Sequence, residues 1–196
     1  QEVLERCAVA IGPQWVEARL FVGLPASGRR ARGHEAAELL CDILPRVAES
    51  GLCFEKLPQD ELVAFVECVE NQEAIRAQLE PRGLIAFVAN DSILPRESGA
   101  SDRPLAGPGA VACRSPPSME VEMTLPNPPK GSLENGNRLT GMGIPRGITL
   151  IVGGGYHGKS TLLKALERGV HPHVPGDGRE YVVSSPGLAK IRAEDG

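Results

Sequence analysis

The amino-terminal third of the chain alternates short apolar stretches with turn residues. Residues 3–11 and VEARLFV (16–22) have strand length and are parted by Gly12-Pro13. The loop GLPASGRRARG (23–33) follows them. In HEAAELLCDILPRVAES (34–50), Ala37, Leu40, Ile43, Leu44 and Val47 recur at helical spacing. Pro45 has no N–H and crowds the preceding turn, so it predicts a kink or a division of that helix. QDELVAFVECVENQEAIRAQLE (59–80) predicts a longer helix capped by Asp60, with Val63, Val66, Val69, Ile75 and Leu79 among its apolar positions. Pro81 and Gly83 end it. LIAFVA (84–89), short and followed by turn residues, predicts a buried strand.

Between residues 91 and 146 the pattern is broken by Pro95, Pro104, Pro108, Pro116, Pro117, Pro126, Pro128, Pro129 and Pro145, which excludes a long helix. One strand stands out, MEVEMTL (119–125): Met119, Val121, Met123 and Leu125 alternate with Glu120, Glu122 and Thr124, giving one buried and one wet face. The remainder is expected to be an extended linker over the surface. Beyond it, ITLIV (148–152) predicts a strand running straight into GGGYHGKST (153–161). TLLKALERG (161–169) then predicts a helix with Leu162, Leu163 and Leu166 on one face and Gly169 closing it.

That junction carries the chemistry. Gly153-Gly154-Gly155-Tyr156-His157-Gly158-Lys159-Ser160 fits GxxxxGK[ST] at every position. Glycines let successive backbone N–H groups converge on one oxyanion without interference from a Cβ. The unpaired amides and positive dipole end of the following helix face the same point. Lys159 is expected to reach the β- and γ-phosphates of a nucleotide, and the Ser160 hydroxyl to ligate Mg²⁺. Thr161 completes the loop. His157 either approaches the nucleotide or packs beneath the loop; for Tyr156, packing is favoured. The motif alone does not choose between ATP and GTP.

Composition changes this picture little. A chain of 196 residues with 41% hydrophobic positions suits one ordinary domain or two small ones. A net charge of −4 rules out a global polycation, so any nucleic-acid contact must come from a local patch. The densest basic cluster, Arg29, Arg30 and Arg32, reads as a solvated loop, with a phosphate contact to RNA or a partner as the alternative. Cys7, Cys41, Cys53, Cys68 and Cys113 are odd in number and never spaced as CxxC, which argues against a disulfide framework or zinc site and for a reducing, cytoplasmic setting. Most are expected to be small buried hydrophobes. No apolar run approaches the length of a membrane span. The start at QEVLERC, without Met, reads as that of a piece of something longer.

GMGIPRGITLIVGGGYHGKSTLLKALERGV (141–170), with PGDGREYVV (175–183) and KIRAEDG (190–196), closely resembles the predicted ATPases of the ABC class. The resemblance extends through VGLPASGR (22–29), Glu70-Asn71-Gln72-Glu73 and IAFVANDSILPRESG (85–99). It implies an α/β P-loop NTPase fold, an incomplete ABC-type ATPase core preceded by a small mixed α+β domain. It also implies ATP with Mg²⁺ as ligands and pairing of two subunits in the full-length protein. The expected division is a mixed α+β region at 1–94, a Pro/Gly-rich connection at 95–140 and the start of the ATPase core at 141–196. Within the family, the acidic strand, signature loop and switch His needed for turnover lie downstream of the phosphate loop. Hydrolysis, with Lys159 as its catalytic residue here, is therefore expected of the longer protein and not of this chain alone. No aromatic lies between Phe87 and Tyr156 to stack on adenine. The alternative is a regulatory or RNA-interacting module that holds nucleotide without turnover.

Other signals are weaker. LIAFVAND ends in Asp91 like an acidic metal-binding strand, but it precedes the phosphate loop, and a turn after a core strand is the favoured reading. His171-Pro172-His173 lacks an evident carboxylate or thiol partner, so no metal pair is expected. The resemblance gives Asp177, Arg179 and Glu180 of GDGRE a possible site role. Cys53 and Cys68 have no activating base nearby in sequence.

Overall fold

The computed structural model describes residues 1–129 and 136–191; the end of KIRAEDG (192–196) and part of the Pro/Gly-rich connection (130–135) lie outside the described residues. Two compact units divide the chain, Glu5–Val63 and a second composed of Gln1–Leu4 with Ala64–Gly196.

The Glu5–Val63 unit opens on an antiparallel hairpin, β1 (Val9–Gly12) with β2 (Trp15–Ala18), pairing Ile11 with Val16. A shorter hairpin, β3 (Ala26–Ser27) with β4 (Arg30–Ala31), turns at Gly28 in the left-handed region. Helices α1 (Gly33–Glu38) and α2 (Leu44–Leu52) are joined by one π-helical stretch, Leu39–Ile43. Pro45 sits in the first turn of α2, where its missing N–H is tolerated, and the widened turn before it is the division the sequence predicts. No side chain from 5 to 63 is fully buried. Cys7, Cys41 and Cys53 are exposed, against the expectation that most cysteines are buried; only Cys68 is, and Cys113 is half-buried.

The second unit is built on a four-stranded antiparallel sheet ordered β6-β7-β5-β8, from β5 (Leu84–Ala89), β6 (Glu120–Thr124), β7 (Arg138–Pro145) and β8 (Val182–Ser184). It draws strands from each of the three stretches expected from the sequence. Helix α3 (Gln59–Leu79) covers one face, where Ile75 and Leu79 pack with Phe87, Ala89, Met123, Leu125 and Val183. Helix α4 (Lys159–Arg168) covers the other, where Ala165 and Leu166 meet Ala86, Val88, Ile144 and Val182. Alternation along β5 explains why LIAFVA is apolar throughout: both of its faces are inside.

Several expectations need correction. Helix α3 begins at Gln59, so Asp60 lies in its first turn and is not the cap. Its buried positions are Cys68, Asn71, Gln72, Ile75 and Leu79, while Val63 and Val66 are exposed. Leu163 is likewise exposed on α4. Strand β7 falls within the stretch read as linker. Gly141 and Gly143 look like breakers but permit close approach: a Cβ on Gly141 would lie 2.7 Å from Ala89 Cα and from Phe87 Cζ. Residues 90–115 do not simply lie over the surface. Asp91 N–H and Cys113 N–H donate to Cys113 O and Ser92 O (both 2.8 Å), and Ser115 N–H to the Asn90 side chain (2.7 Å). Finally, ITLIV is no strand. Ile148, Leu150 and Val152 are exposed, and no described strand pairs with residues 148–152. An apolar run becomes a strand only when a neighbour satisfies its backbone.

Candidate phosphate-binding site

Gly158 caps α4 from the left-handed region (φ 78°), and Gly153 has φ 152°; both lie at positive φ, which favours glycine. Tyr156 adopts a left-handed conformation without being glycine (φ 61°) and projects fully into solvent, so it does not pack. Strain of this kind concentrates at functional loops. The first amide of α4 bonded back along the helix is that of Leu162, which donates to Gly158 O at 2.9 Å. This leaves the N–H groups of Lys159, Ser160 and Thr161 at the helix end, where partial positive charge accumulates. Lys159 Nζ donates to Gly153 O (2.6 Å) and to Gly154 O. Gly154 N–H donates to His157 Nδ1 (3.1 Å). Ser160 and Lys159 make no contact with any carboxylate among the described residues.

The other sequence candidates lie in a buried polar cluster. The Asp177 side chain is 1% exposed and accepts from Arg96 Nη2 (2.6 Å) and His173 (2.7 Å at Nδ1). Burial alone would raise its pKa; the hydrogen bonds from His173 and Arg96, with the charge of Arg96, outweigh it and hold the carboxyl below the ordinary carboxylate range. Arg179 donates to Leu94 O through Nε (2.9 Å) and Nη2. Burial, reinforced by the like charge of Arg96, lowers its pKa to about 10. Ile93 N–H reaches Gly178 O at 2.8 Å, so GDGRE anchors the 93–96 segment. The Gln72 carboxamide brackets His173, accepting its N–H (2.6 Å) and donating to its carbonyl (2.9 Å).

His173 thus has the carboxylate partner that sequence spacing did not reveal; Asp177, four residues on, was the available signal. Among the described residues no group of three or more His, Cys, Asp or Glu side chains could hold a metal. Asp91 is exposed, at φ 66°, and pairs with Arg114 (3.2 Å). Arg29 and Arg30 are exposed on the β3–β4 hairpin, and Arg32 pairs with Glu35 (3.1 Å).

A sheet covered by helices on both faces, one of them opened by a glycine-rich lysine loop, defines an α/β phosphate-loop domain. Residues 58–196 match the P-loop domain of the ABC_ATPase family, and residues 1–55 match the N-terminal domain of ATPases of the ABC class. The chain belongs to this family. An uncharacterized protein of Methanocaldococcus jannaschii is 33% identical over 139 residues, covering 69% of this chain and 30% of that relative. The chain therefore spans less than a third of the relative's length in the matched region. Among the described residues no helix is long and apolar enough to cross a membrane.

Proposed function

We propose that this chain is the ATP-binding segment of an ABC-class ATPase and holds Mg-ATP at residues 153–161. The observation that carries the reading is the loop itself, where left-handed Gly158 opens α4 at Lys159 and, among the described residues, the amides of Lys159, Ser160 and Thr161 have no partner. Gly153, Gly154, Gly155, Tyr156, His157 and Gly158 frame the phosphates, and Lys159 exchanges its two carbonyl partners for phosphate oxygens. The site fits a magnesium ion at one position, since the Ser160 side chain is exposed and its hydroxyl has no partner among the described residues. Bound there beside the phosphates, the ion would neutralise charge. Turnover also needs an acid to hold the metal and a group to orient water. Among the described residues neither stands beside Lys159 or Ser160; hydrolysis, pairing of subunits and a cytoplasmic setting are proposed for the full-length protein.

Lys159→Ala is expected to weaken binding of a fluorescent ATP analogue by roughly tenfold or more, the worth of one charge-assisted contact. Phosphate release by the wild-type chain should not exceed that of the variant. Unchanged affinity in a folded variant would sink the assignment.

A second reading, contact with RNA, rests on Arg29 and Arg30, which make no ion pair among the described residues. Replacing Arg29, Arg30 and Arg32 with Ala should then weaken RNA binding and flatten its salt dependence. A wild-type chain that ignores RNA at low salt ends that idea.

A further inference from the structure

A cavity of about 370 Å³ lies in the second unit, between helix α3 and the turn that leads into β8. Helix α3 lends it Glu67 and Asn71, and the turn lends it Glu180 and Tyr181, with Pro128 and Pro175 at its sides. Hydrogen bonds hold these walls in place. Asn71, 1% exposed, accepts the Asn127 N–H (3.0 Å) and donates to the Tyr181 hydroxyl (3.4 Å), which pins two walls to α3 at once. Glu180 accepts the Gly176 N–H and so pins the third. Tyr181 is backed by the core cluster around Phe87. The volume falls within the range of small-molecule sites, roughly 300–1,000 Å³.

The lining selects the guest. Glu67 and Glu180 are half-buried, and among the described residues neither has a cationic partner. Burial raises the Tyr181 phenol above its ordinary range and the charges of Glu180 and Glu67 add to it, so both carboxylates act on one phenol. Two negative charges drawn partly out of water around one recess lack the countercharge that offsets their desolvation. A metal ion does not supply it, since no group of three or more His, Cys, Asp or Glu among the described residues could hold one. An ammonium on an aliphatic stem does. It offers three donors to carboxylate oxygens, while its methylenes lie against ring and prolines and the aromatic quadrupole attracts its charge.

We propose that this cavity binds an aliphatic ammonium, held by Glu67 and Glu180 beside the Tyr181 ring. A free diamine and a lysine side chain carry that same chemistry. The proposal goes beyond the nucleotide reading and does not rest on it, because no residue of the cavity belongs to the 153–161 loop. It also gives Glu180 of GDGRE a role that the phosphate loop does not use.

The test titrates cadaverine into the full chain, with its tyrosine rings isotope-labelled for NMR. The chain has two tyrosines, and Tyr156, exposed in the phosphate loop, is the internal control. Tyr181 signals should shift saturably while those of Tyr156 stay in place. Pentanediol, of the same length but uncharged, should move neither. Glu67→Gln combined with Glu180→Gln keeps the side-chain shapes and an acceptor for the Gly176 N–H but removes the charge. It should weaken cadaverine binding by roughly tenfold or more, the worth of one charge-assisted contact. A blocked Gly-Lys-Gly peptide is run beside the diamine, and the tighter of the two identifies the source of the ammonium. A Tyr181 response to pentanediol equal to that for cadaverine overturns the proposal, and so does a response that Tyr156 shares. Both comparisons are made on wild type, independently of how the variant folds. Binding unchanged by the two Gln substitutions, or no saturable response to either amine, overturns it equally.

Discussion

Asp177→Ala is expected to cost about 3–5 kcal/mol of folding free energy, the loss typical when one member of a buried charge network is removed. The carboxylate is 1% exposed and Arg96, its bidentate-like partner, is 8% exposed. Arg96 donates to both the side chain and the backbone carbonyl of Asp177, and His173 donates from the other side. Truncation leaves a guanidinium and an imidazole facing a void from which water is largely excluded, and their desolvation is then uncompensated. The same network sets an acid limit. Asp177 is held below its ordinary 3.8 in the folded chain, so its contribution is present above that value and is lost as pH falls through the lowered folded pKa. Urea unfolding followed by far-ultraviolet circular dichroism at several pH values checks both statements. A variant within 1 kcal/mol of wild type, or one with the same acid sensitivity, would show that the cluster does not hold the fold.

Phe87→Ala should cost a comparable 3–5 kcal/mol. Phe87 has no exposed surface, sits on the central strand β5, and packs with Ile75, Leu79, Met123 and Val183. Its ring also reaches the backbone of β7 at Gly141, which has no side chain to move into the space. The cavity therefore stays open, placing the cost at the upper end for its chemistry. Phe87→Leu fills most of the volume and should recover more than half the loss in the same unfolding measurement.

The strands β5 and β6 were legible because each shows an unambiguous pattern: continuous apolar residues where both faces are covered, strict alternation where one face is wet. Helix α4 and the phosphate loop were legible because the motif states its own local geometry. Strand β7 was not, since Gly141 and Gly143 serve a contact made by residues more than 50 positions away. For the same reason the apolar positions of α3 misled. Its inner face carries Asn71 and Gln72, which bond to Asn127 and His173, and no periodicity of hydrophobic residues reports a buried polar side chain with distant partners. In ITLIV the signal was an apolar strand-like run, but a run of that kind says nothing about whether a neighbour stands beside it. The Asp177–His173 pair escaped because the intervening Pro175 and Gly176 suggest a loose turn, whereas Arg96, a long way back in the chain, locks it.

Helix α4 is held most firmly at its carboxyl end, with Leu162 adding a partly buried contact nearer its start. Ser184 N–H donates to Gly169 O (2.8 Å), the Ser184 hydroxyl donates to Leu166 O (2.8 Å), and Gly169 lies so near β8 that a Cβ would be 2.7 Å from Val182 O. Arg76 adds a further donor to Gly169 O at 3.2 Å. The other end, roughly 15 Å away at a rise of 1.5 Å per residue, carries only exposed loop. The helix is a cantilever. Amide exchange along it should grade from slow at Ala165 and Leu166 to fast at Ser160, so a ligand that grips the tip would register first as slowed exchange there, while the root at β8 stays where the sheet holds it.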